Sequence, residues 1–448
     1  MSTFTLPSDT TPQKRAALER RLQQIQEALG DAERVLLLMH NDPDPDALAS
    51  GLALRRLLVQ LTPDKQITLA HGGIIGRAEN ASMAQTLLPA VLRIPITEVE
   101  ETLARFDAIC LVDTQPAAGN HLLYTSTFPL NQVALAIDHH PPRRSQIQAG
   151  FHDVRPEIGA CSTILCEYLA AAQIVPDTKL ATALFYGIKS DTRGLSRHAG
   201  PLDAWAYMSL HGLIDTDLLG RIEQAQLPAS YFKNLSYALG HANRYRCLPG
   251  AAQTPSDPPD PVLQEIWGDF AGGEGSHASA KDFECRGDVV ISILGEMERP
   301  DMAAEVADLL LRMEGVRWVI CLGIFDSRVV ISVRNDGPGG HAGRLVRLIV
   351  GKTGTAGGHD AMAGGRILML EATPTERIAA IHSLVPLFLE KLGLADASPE
   401  SLLDVPAPPT RAPTHAICEL WNATRTTKGP HHANQHRQHG RVRGQQPV

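Results

Sequence analysis

The 448-residue sequence predicts an α/β protein in which a mainly parallel sheet is joined, through a helical and linker segment, to a smaller α+β domain. Two observations lead to this prediction. Strand-length apolar runs alternate with helix-patterned stretches, as in βαβ units; the runs are 34–39, 67–70, 106–112 and 132–137. After a long Pro- and Gly-rich stretch, order resumes at Asp288 with mixed strand and helix patterns.

Each remaining element follows from its own pattern. Residues 13–29 predict an exposed amphipathic helix that ends at Gly30, and helical patterns dominate residues 161–245. Beyond Asp288 the patterns predict a helix at 301–313, a hairpin of 317–323 and 328–333, a helix at 342–350, a glycine-rich loop, a strand at 366–371 and a helix at 375–392. We therefore expect five segments: an N-terminal helix (1–30), the parallel-sheet domain (31–215), a helical connector with a Pro/Gly-rich linker (216–287), the α+β domain (288–395) and a disordered tail (396–448).

Composition narrows the function classes. A net charge of −8 argues against a general nucleic-acid coat or a membrane-surface protein, because both partners are themselves negative. No apolar run approaches the ~20 residues of a membrane span, so we expect a cytoplasmic protein with no membrane partner. The seven cysteines show no C-x-x-C spacing, which argues against a zinc ribbon or a disulfide framework.

Four acidic clusters each follow an apolar or helix-patterned run. They are His40 with Asp44 and Asp46, then Asp113, then Asp138-His139-His140, and finally Asp191. Taken singly, each aspartate has an ordinary explanation as a turn or cap residue, and Asp46 is placed to cap a helix that begins at Ala47. Together they predict a site at the carboxyl ends of the strands. Carboxylates with a few imidazoles suit Mn²⁺ or Mg²⁺, and paired ions of this kind hydrolyse phosphoryl groups.

The second domain offers candidates for binding a phosphate. Arg334 ends the strand-like VVISVR, and arginine is well shaped for bidentate phosphate contacts. The stretch Gly357-Gly358-His359 can bring backbone N–H groups and an imidazole close to a phosphate. A second Gly-Gly-His, at 339–341, precedes a helix pattern, and we interpret it as a turn.

The motifs taken in order resemble a known family. HNDPDPDA, LVDTQP, IDHHPP and KSDTRG resemble the four ordered motifs of the DHH phosphoesterases, and GTAGGHDAMAGG resembles the GGGH signature of the companion DHHA1 domain, with Ala356 in its first position. The resemblance covers roughly residues 30–215 and 288–392. Within that family, the chain resembles the stand-alone bifunctional oligoribonuclease/pAp phosphatases of the NrnA type. The resemblance therefore implies a DHH domain followed by a DHHA1-like domain.

The resemblance also implies roles for the residues. Two ions, Mn²⁺ with Mg²⁺ as an alternative, would share Asp113 as a bridge. The first subsite would add His40 and Asp44, and the second would add Asp46, His139 and Asp191. Asp138 would orient its neighbours, and His140 would face the scissile phosphate as a donor or general acid. A hydroxide bridging the two ions would attack the phosphorus, while Arg334, Gly357, Gly358 and His359 would bind substrate.

The expected function is a Mn²⁺-dependent phosphoesterase that hydrolyses short oligoribonucleotides from one end, or pAp (3′-phosphoadenosine 5′-phosphate). Its partner would be short single-stranded RNA or a small phosphorylated nucleotide, and a homodimer is left open. Two alternatives remain within the enzymes, a dinucleotide phosphodiesterase and a pyrophosphatase or exopolyphosphatase-like hydrolase. A nucleotide-binding regulatory protein is the alternative of another class.

Overall fold

The computed structural model of the chain describes residues 4–88, 90–141, 147–247, 283, 287–337, 341–358 and 361–403. Its first sheet has six strands, all parallel, in the order β3-β2-β1-β4-β5-β6. The strands are β1 (Arg34–Leu38), β2 (Gln66–His71), β3 (Leu92–Arg93), β4 (Ala108–Val112), β5 (Leu135–Asp138) and β6 (Phe151–Val154). The four predicted strands are confirmed, and β3 and β6 are additional.

This strand order is that of a doubly wound sheet, which places ligands where the order reverses. Here the chain leaves β1 to one side through β2 and β3, and returns to the other side through β4, β5 and β6. The reversal therefore lies between β1 and β4. The segments that follow these two neighbouring strands carry His40, Asp44, Asp46 and Asp113.

Helices surround the first sheet. They are α1 (Pro12–Leu29), α2 (Pro45–Leu61), α3 (Ala78–Leu87), α4 (Val99–Leu103), α5 (Cys161–Ala171), α6 (Thr178–Thr192), α7 (Pro201–His211) and α8 (Thr216–Glu223). The next helix, α9 (Ala229–Gly240), packs against the second sheet instead. α2 packs against both α5 and α6, and all three bury most of their residues. α1 was predicted as an exposed amphipathic helix, but its apolar face, Leu18, Leu22, Ile25 and Leu29, is buried in the same core.

Buried charges hold α1 against the sheet. Asp153 on β6 is 3% exposed and accepts hydrogen bonds from Arg155 and from the hydroxyl of Tyr168, at 2.5 Å. Arg21 of α1 pairs with the same carboxylate. Burial favours the neutral acid, but these donors hold the pKa of Asp153 below its ordinary value. The ionised carboxylate therefore stabilises the contact between α1 and the sheet.

Replacing Asp153 by alanine is expected to lower the free energy of unfolding by about 3 kcal/mol, because Arg155 would lose its main partner in a largely buried setting. The carboxylate has a lowered folded pKa, so its stabilisation is present above the unfolded pKa of about 4 and is lost as pH falls through the folded value. Urea unfolding at several pH values measures both effects. Glu101→Ala, which removes an exposed ion pair with Arg105, should cost under about 0.5 kcal/mol. Equal losses in the two variants would contradict the burial argument.

The second sheet has seven strands in the order β11-β12-β10-β9-β8-β7-β13. Its strands are β7 (Ala242–Tyr245), β8 (Asp288–Glu296), β9 (Val316–Phe325), β10 (Arg328–Asn335), β11 (Gly354–Gly358), β12 (Met362–Leu368) and β13 (Glu400–Ser401). Its helices are α10 (Met302–Leu310), α11 (Ala342–Val350) and α12 (Pro374–Lys391). Only β8 and β9 pair in parallel. This mixed sheet with helices confirms the predicted α+β domain and the hairpin of β9 and β10.

Four segments differ from expectation. The strand predicted at 366–371 is β12, which begins four residues earlier, at Met362, and ends at Leu368. The stretch predicted as a glycine-rich loop forms β11, an edge strand paired with β12, because its backbone groups bond to that neighbour without needing side-chain packing. β7 lies in the predicted connector and β13 in the predicted tail, yet both extend the second sheet. Residues 248–282 and 284–286 of the predicted linker and residues 404–448 of the tail lie outside the described residues.

Candidate active site

The site lies at the carboxyl ends of the first sheet's strands. Asp113 directly follows β4 and is 1% exposed, and its backbone has a φ of 57°. Few non-glycine residues adopt this left-handed conformation, although aspartate tolerates it better than most. Its amide donates to the carbonyl of Ile137 at 2.9 Å, which fixes the residue beside β5. The side chain of Asp113 is thereby held at the sheet edge between the segments that follow β1 and β5.

The two aspartates of the first loop divide their roles differently from the prediction. Asp44, not Asp46, is the N-cap of α2, and its carboxylate accepts from the amide of Ala47 at 3.0 Å. Asp46 is fully buried in the first turn of α2 and reaches the start of α5 instead. There it accepts from the amides of Cys161, at 2.6 Å, and Ser162, at 2.8 Å. The expected cap at Asp46 is therefore wrong for α2, because this carboxylate satisfies the N-terminal amides of another helix.

The carboxylate of Asp113 faces two groups of side chains. Its Oδ2 lies 3.5 Å from His40 Nε2, which is itself 3.9 Å from Asp44 Oδ1. Its Oδ1 lies 3.6 Å from His139 Nε2. That nitrogen is also 3.3 Å from Asp191 Oδ2 and 3.9 Å from Asp46 Oδ2. The structure thus brings together all six residues predicted as ligands, with one oxygen of Asp113 toward each group.

Both imidazoles are oriented by backbone carbonyls. His40 Nδ1 lies 2.8 Å from the carbonyl of Asn41, and His139 Nδ1 lies 3.2 Å from that of Ile158. A carbonyl can only accept, so each Nδ1 carries the hydrogen and each Nε2 turns toward the carboxylates. This is the usual arrangement of metal-binding histidines, in which the second ring nitrogen is bonded to a supporting group.

The donor set fits divalent cations. Within the described residues, Asp113 Oδ1 and His139 Nε2 are buried and have no hydrogen-bond partner, although buried polar atoms normally have one. The 3.3–3.9 Å spacings are near the roughly 3–3.5 Å expected between two atoms that each lie ~2.1 Å from one ion. Carboxylate oxygens with two imidazoles match hard ions such as Mn²⁺ or Mg²⁺.

Charge crowding points the same way. Burial, together with the carboxylates of Asp113 and Asp191, raises the pKa of Asp46 well above its ordinary value. Burial opposes protonation of His139, yet the carboxylates of Asp191, Asp113 and Asp46 raise the pKa of its imidazole well above the ordinary value. Four clustered carboxylates therefore favour any positive charge among them, whether a proton or a metal ion.

Asp138 holds the loop that carries both histidines. Its fully buried Oδ1 accepts from the amide of His139 at 2.9 Å and lies 2.8 Å from His140 Nδ1. Its Oδ2 accepts from the side-chain amide of Gln115 at 2.8 Å, and the same nitrogen donates to the carbonyl of His140 at 3.0 Å. The side chain of His140 is half exposed, so its other ring nitrogen can meet a ligand. The sequence analysis missed Gln115, although it stands two residues after Asp113 in the same motif.

Asp191 reaches the site from a helix. It lies in the last turn of α6, whereas the residues from the other three clusters follow strands. The described residues near it include Arg197, whose guanidinium reaches the carbonyl of Asp191 at 3.4 Å. Arg197 was not singled out in the sequence, because it belongs to an ordinary-looking turn after the motif.

The predicted substrate-binding residues of the second domain have mixed placements. Arg334 is 6% exposed, and its guanidinium donates to Asp308 at 2.5 Å and to the hydroxyl of Ser332 at 3.0 Å. Gly357 and Gly358 end β11. His359 lies outside the described residues. Substrate contact by these four residues stays a prediction.

The two domains meet through charged pairs that sequence reasoning also missed. Asp308 of α10 accepts from Arg334 and, at 3.0 Å, from Arg77 of the first domain. Arg366 of β12 pairs with Asp42, which follows β1. These contacts place the second sheet over the carboxyl edge of the first, beside the candidate site.

Two further expectations, on membrane spans and on cysteines, concern all of the described residues. None of their helices combines the length and the apolar character that a membrane crossing requires. Among the described residues, the free cysteines are Cys110, Cys161, Cys166, Cys247 and Cys321.

The proteins similar to this chain include two curated relatives and a solved structure. The chain is 29% identical over 368 residues to the uncharacterised protein MJ1633 of Methanocaldococcus jannaschii, covering 79% of this chain and 65% of that protein. It is 24% identical over 163 residues to MJ0988 of the same organism, covering 36% of this chain and 46% of that protein. The chain thus spans less than two thirds of either relative. An exopolyphosphatase-related protein from Bacteroides fragilis superposes with a TM-score of 0.53 at 16% identity, covering 83% of this chain and 98% of that one. At this identity the likeness concerns the fold.

A family model covers most of the first domain. Residues 34–188 match the model described as the DHH family, N-terminal domain. The matched region contains His40, Asp44, Asp46, Asp113 and the Asp138-His139-His140 triplet, and it ends three residues before Asp191. The likeness to this family therefore concerns the first domain, from β1 into α6.

Proposed function

We propose that the protein is a phosphoesterase that uses two Mn²⁺ ions to hydrolyse short oligoribonucleotides, pAp or both. The observation that carries the proposal is the position of Asp113, whose two oxygens face two separate groups of ligand-type side chains. One carboxylate shared by two ions is the usual device for bringing them within ~4 Å of each other. The DHH family match of residues 34–188 agrees with this chemistry.

The roles of the side chains follow from their contacts. His40 and Asp44 would hold one ion with Asp113, and Asp46, His139 and Asp191 would hold the other. Mg²⁺ has the same ligand preferences and is the alternative ion. When bound, such ions lower the pKa of water and neutralise charge on the phosphoryl oxygens. The chain itself fixes the ligands through the backbone carbonyls behind each imidazole and the α5 amides behind Asp46.

His140 is the candidate proton donor to the leaving oxygen. Its Nδ1 is held by Asp138 at 2.8 Å, and its side chain is half exposed. Burial disfavours the imidazolium, but Asp138 outweighs it and raises the pKa of His140. A proton kept on the ring near neutral pH suits general-acid catalysis. Asp138, fixed in turn by Gln115, therefore positions the donor.

The charges at the domain boundary favour a small substrate. Duplexes and polyphosphate chains carry a charge on every unit and need an extended basic lining. In the described part, the boundary arginines Arg77, Arg299, Arg334 and Arg366 are each paired with a carboxylate. These pairs leave little free positive charge for a long polyanion. A short oligoribonucleotide or pAp needs only the ions and a few local contacts.

A substrate panel tests the proposal. The Mn²⁺-loaded full chain is incubated with pAp, a diribonucleotide, a cyclic dinucleotide, pyrophosphate and polyphosphate, with Asp113→Asn as the matched inactive control. We expect phosphate from pAp or mononucleotides from the diribonucleotide. Hydrolysis of polyphosphate or pyrophosphate alone would replace the proposed substrates with that alternative. Nucleotide binding without any hydrolysis would favour a regulatory protein.

A further inference from the structure

Arg197 lies in a tight turn beside the candidate site. The turn follows α6 and precedes α7, and the amide of Arg197 donates to the carbonyl of Thr192 at 2.9 Å. Three non-glycine residues of the turn, Arg193, Leu195 and His198, have left-handed backbones with φ between 49° and 69°. Such conformations cost about 1–2 kcal/mol each and persist where the surroundings enforce them. The turn therefore holds Arg197 in a defined place.

The guanidinium of Arg197 has weak partners. One terminal nitrogen lies 3.4 Å from the carbonyl of Asp191, and the other lies 3.7 Å from the sulfur of Met362 in the second domain. Its Nε is buried and has no hydrogen-bond partner among the described residues. Burial and then the charge of Arg193 lower the pKa of Arg197, and they outweigh the carboxylates of Asp191 and Asp308, which act to raise it. A buried donor without an acceptor is rare and costly.

The contrast with the other boundary arginines is sharp. Arg77, Arg299, Arg334 and Arg366 each lie within ion-pair distance of a carboxylate. Within the part of the chain that the structure describes, Arg197 has no such pair. Its guanidinium also contacts the backbone carbonyl of Asp191. The side-chain Oδ2 of Asp191 is 3.3 Å from His139 Nε2. An unpaired guanidinium thus stands next to one of the two ligand groups.

The charge balance of the metal centre indicates a role for the guanidinium of Arg197. Asp44, Asp46, Asp113 and Asp191 carry four negative charges when ionised, and two divalent ions carry four positive charges. The loaded centre would then be neutral overall. An anionic phosphate therefore needs a further cation close by, and arginine matches phosphate with two parallel N–H···O bonds.

We propose that Arg197 binds the non-bridging oxygens of the phosphoryl group that is hydrolysed. This rests on the proposed function, since it assumes that the phosphate lies on the ions held beside Asp191. Through its contact with Met362, the second domain supports Arg197 in this position. Arg197 would then be a phosphate-binding residue of the first domain. It would bind phosphate both when Arg334 is paired with Asp308 and when it is not.

The test compares Arg197→Ala and Arg197→Lys with Arg193→Gly, which removes a charge from an exposed position of the same turn that already has a left-handed backbone. We expect Arg197→Ala to lower kcat/KM about 10- to 100-fold and to weaken the binding of inorganic phosphate to the Mn²⁺-loaded protein by a similar factor. Arg197→Lys should recover part of both, and Arg193→Gly should stay within about threefold of the unchanged protein. Bound Mn²⁺ per chain should be the same in all four proteins.

Two outcomes separate this inference from the proposed function. An unchanged protein that hydrolyses no phosphate ester overturns the proposed function, while calorimetry with phosphate still tests Arg197. Phosphate affinity in Arg197→Ala within threefold of the unchanged protein overturns the role of Arg197, whatever the activity. Loss of Mn²⁺ from Arg197→Ala would also overturn it, because the residue would then act through the metal centre.

Discussion

Asp113→Asn is expected to lower hydrolysis of every substrate by at least about 10³-fold, the largest effect of any single replacement in this protein. Asp113 faces both ligand groups, so losing its charge weakens both subsites at once. Asparagine keeps the size of the side chain and tolerates the left-handed backbone at this position. The measurement is the steady-state rate with saturating Mn²⁺, together with the amount of Mn²⁺ bound.

The control for this replacement is Asp64→Asn, an aspartate that is 77% exposed and precedes β2, at the amino ends of the strands and so away from the candidate site. It should leave the rate unchanged. If Asp113→Asn kept more than a tenth of the activity, Asp113 could not be the shared ligand. A protein that binds nucleotides equally well with and without this carboxylate would instead fit a regulatory module.

Asp46→Ala is expected to reduce both stability and metal binding. Asp46 is fully buried and accepts two amides at the start of α5, so alanine leaves both without a partner. We expect a loss of about 3 kcal/mol in the free energy of unfolding without metal. In the unchanged protein, Mn²⁺ at 100 times its Kd should add about 2.7 kcal/mol for each site. Urea unfolding with and without Mn²⁺ measures both quantities.

Asp177→Ala provides the comparison, because Asp177 caps α6 through the amide of Leu180 but lies outside the ligand groups. It should cost about 1 kcal/mol and leave the Mn²⁺ increment intact. In Asp46→Ala the increment should fall. The increment should also grow with pH in the unchanged protein, since the raised pKa values of Asp46 and His139 mean that ions displace protons. An Asp46→Ala protein with the full increment would remove Asp46 from the metal centre.

Local patterns were enough to predict the strands and most of the site. Runs such as 34–39 and 132–137 are apolar on both faces, which is typical of a buried parallel strand, and the residues that follow them meet at one sheet edge. The sequence could not show which strands are neighbours. The order that places β4 beside β1, and so Asp113 beside His40, depends on long-range packing.

The differences between the predicted and the observed structure also result from contacts between residues that are distant in sequence. Asp44 and Asp46 both suit an N-cap, and the choice depended on α5, more than a hundred residues away. β11 has almost no side chains with which to show a strand period, so only its pairing with β12 reveals it. The sequence shows no partner for Arg334 at the end of β10, but Asp308 of α10 binds it. Arg197 stands out only because, among the described residues, no carboxylate lies within ion-pair distance of it.

The most direct test of the two-ion site is the activity of the metal-stripped protein as Mn²⁺ is added back, plotted against Mn²⁺ bound per chain. We expect two equivalents to bind, and the release of phosphate from pAp or of mononucleotides from a diribonucleotide to rise steeply with the second. In Asp113→Asn we expect neither the binding of two equivalents nor hydrolysis. Saturation at a single equivalent with full activity would contradict the shared role of Asp113, as would two bound equivalents without hydrolysis of any phosphate ester.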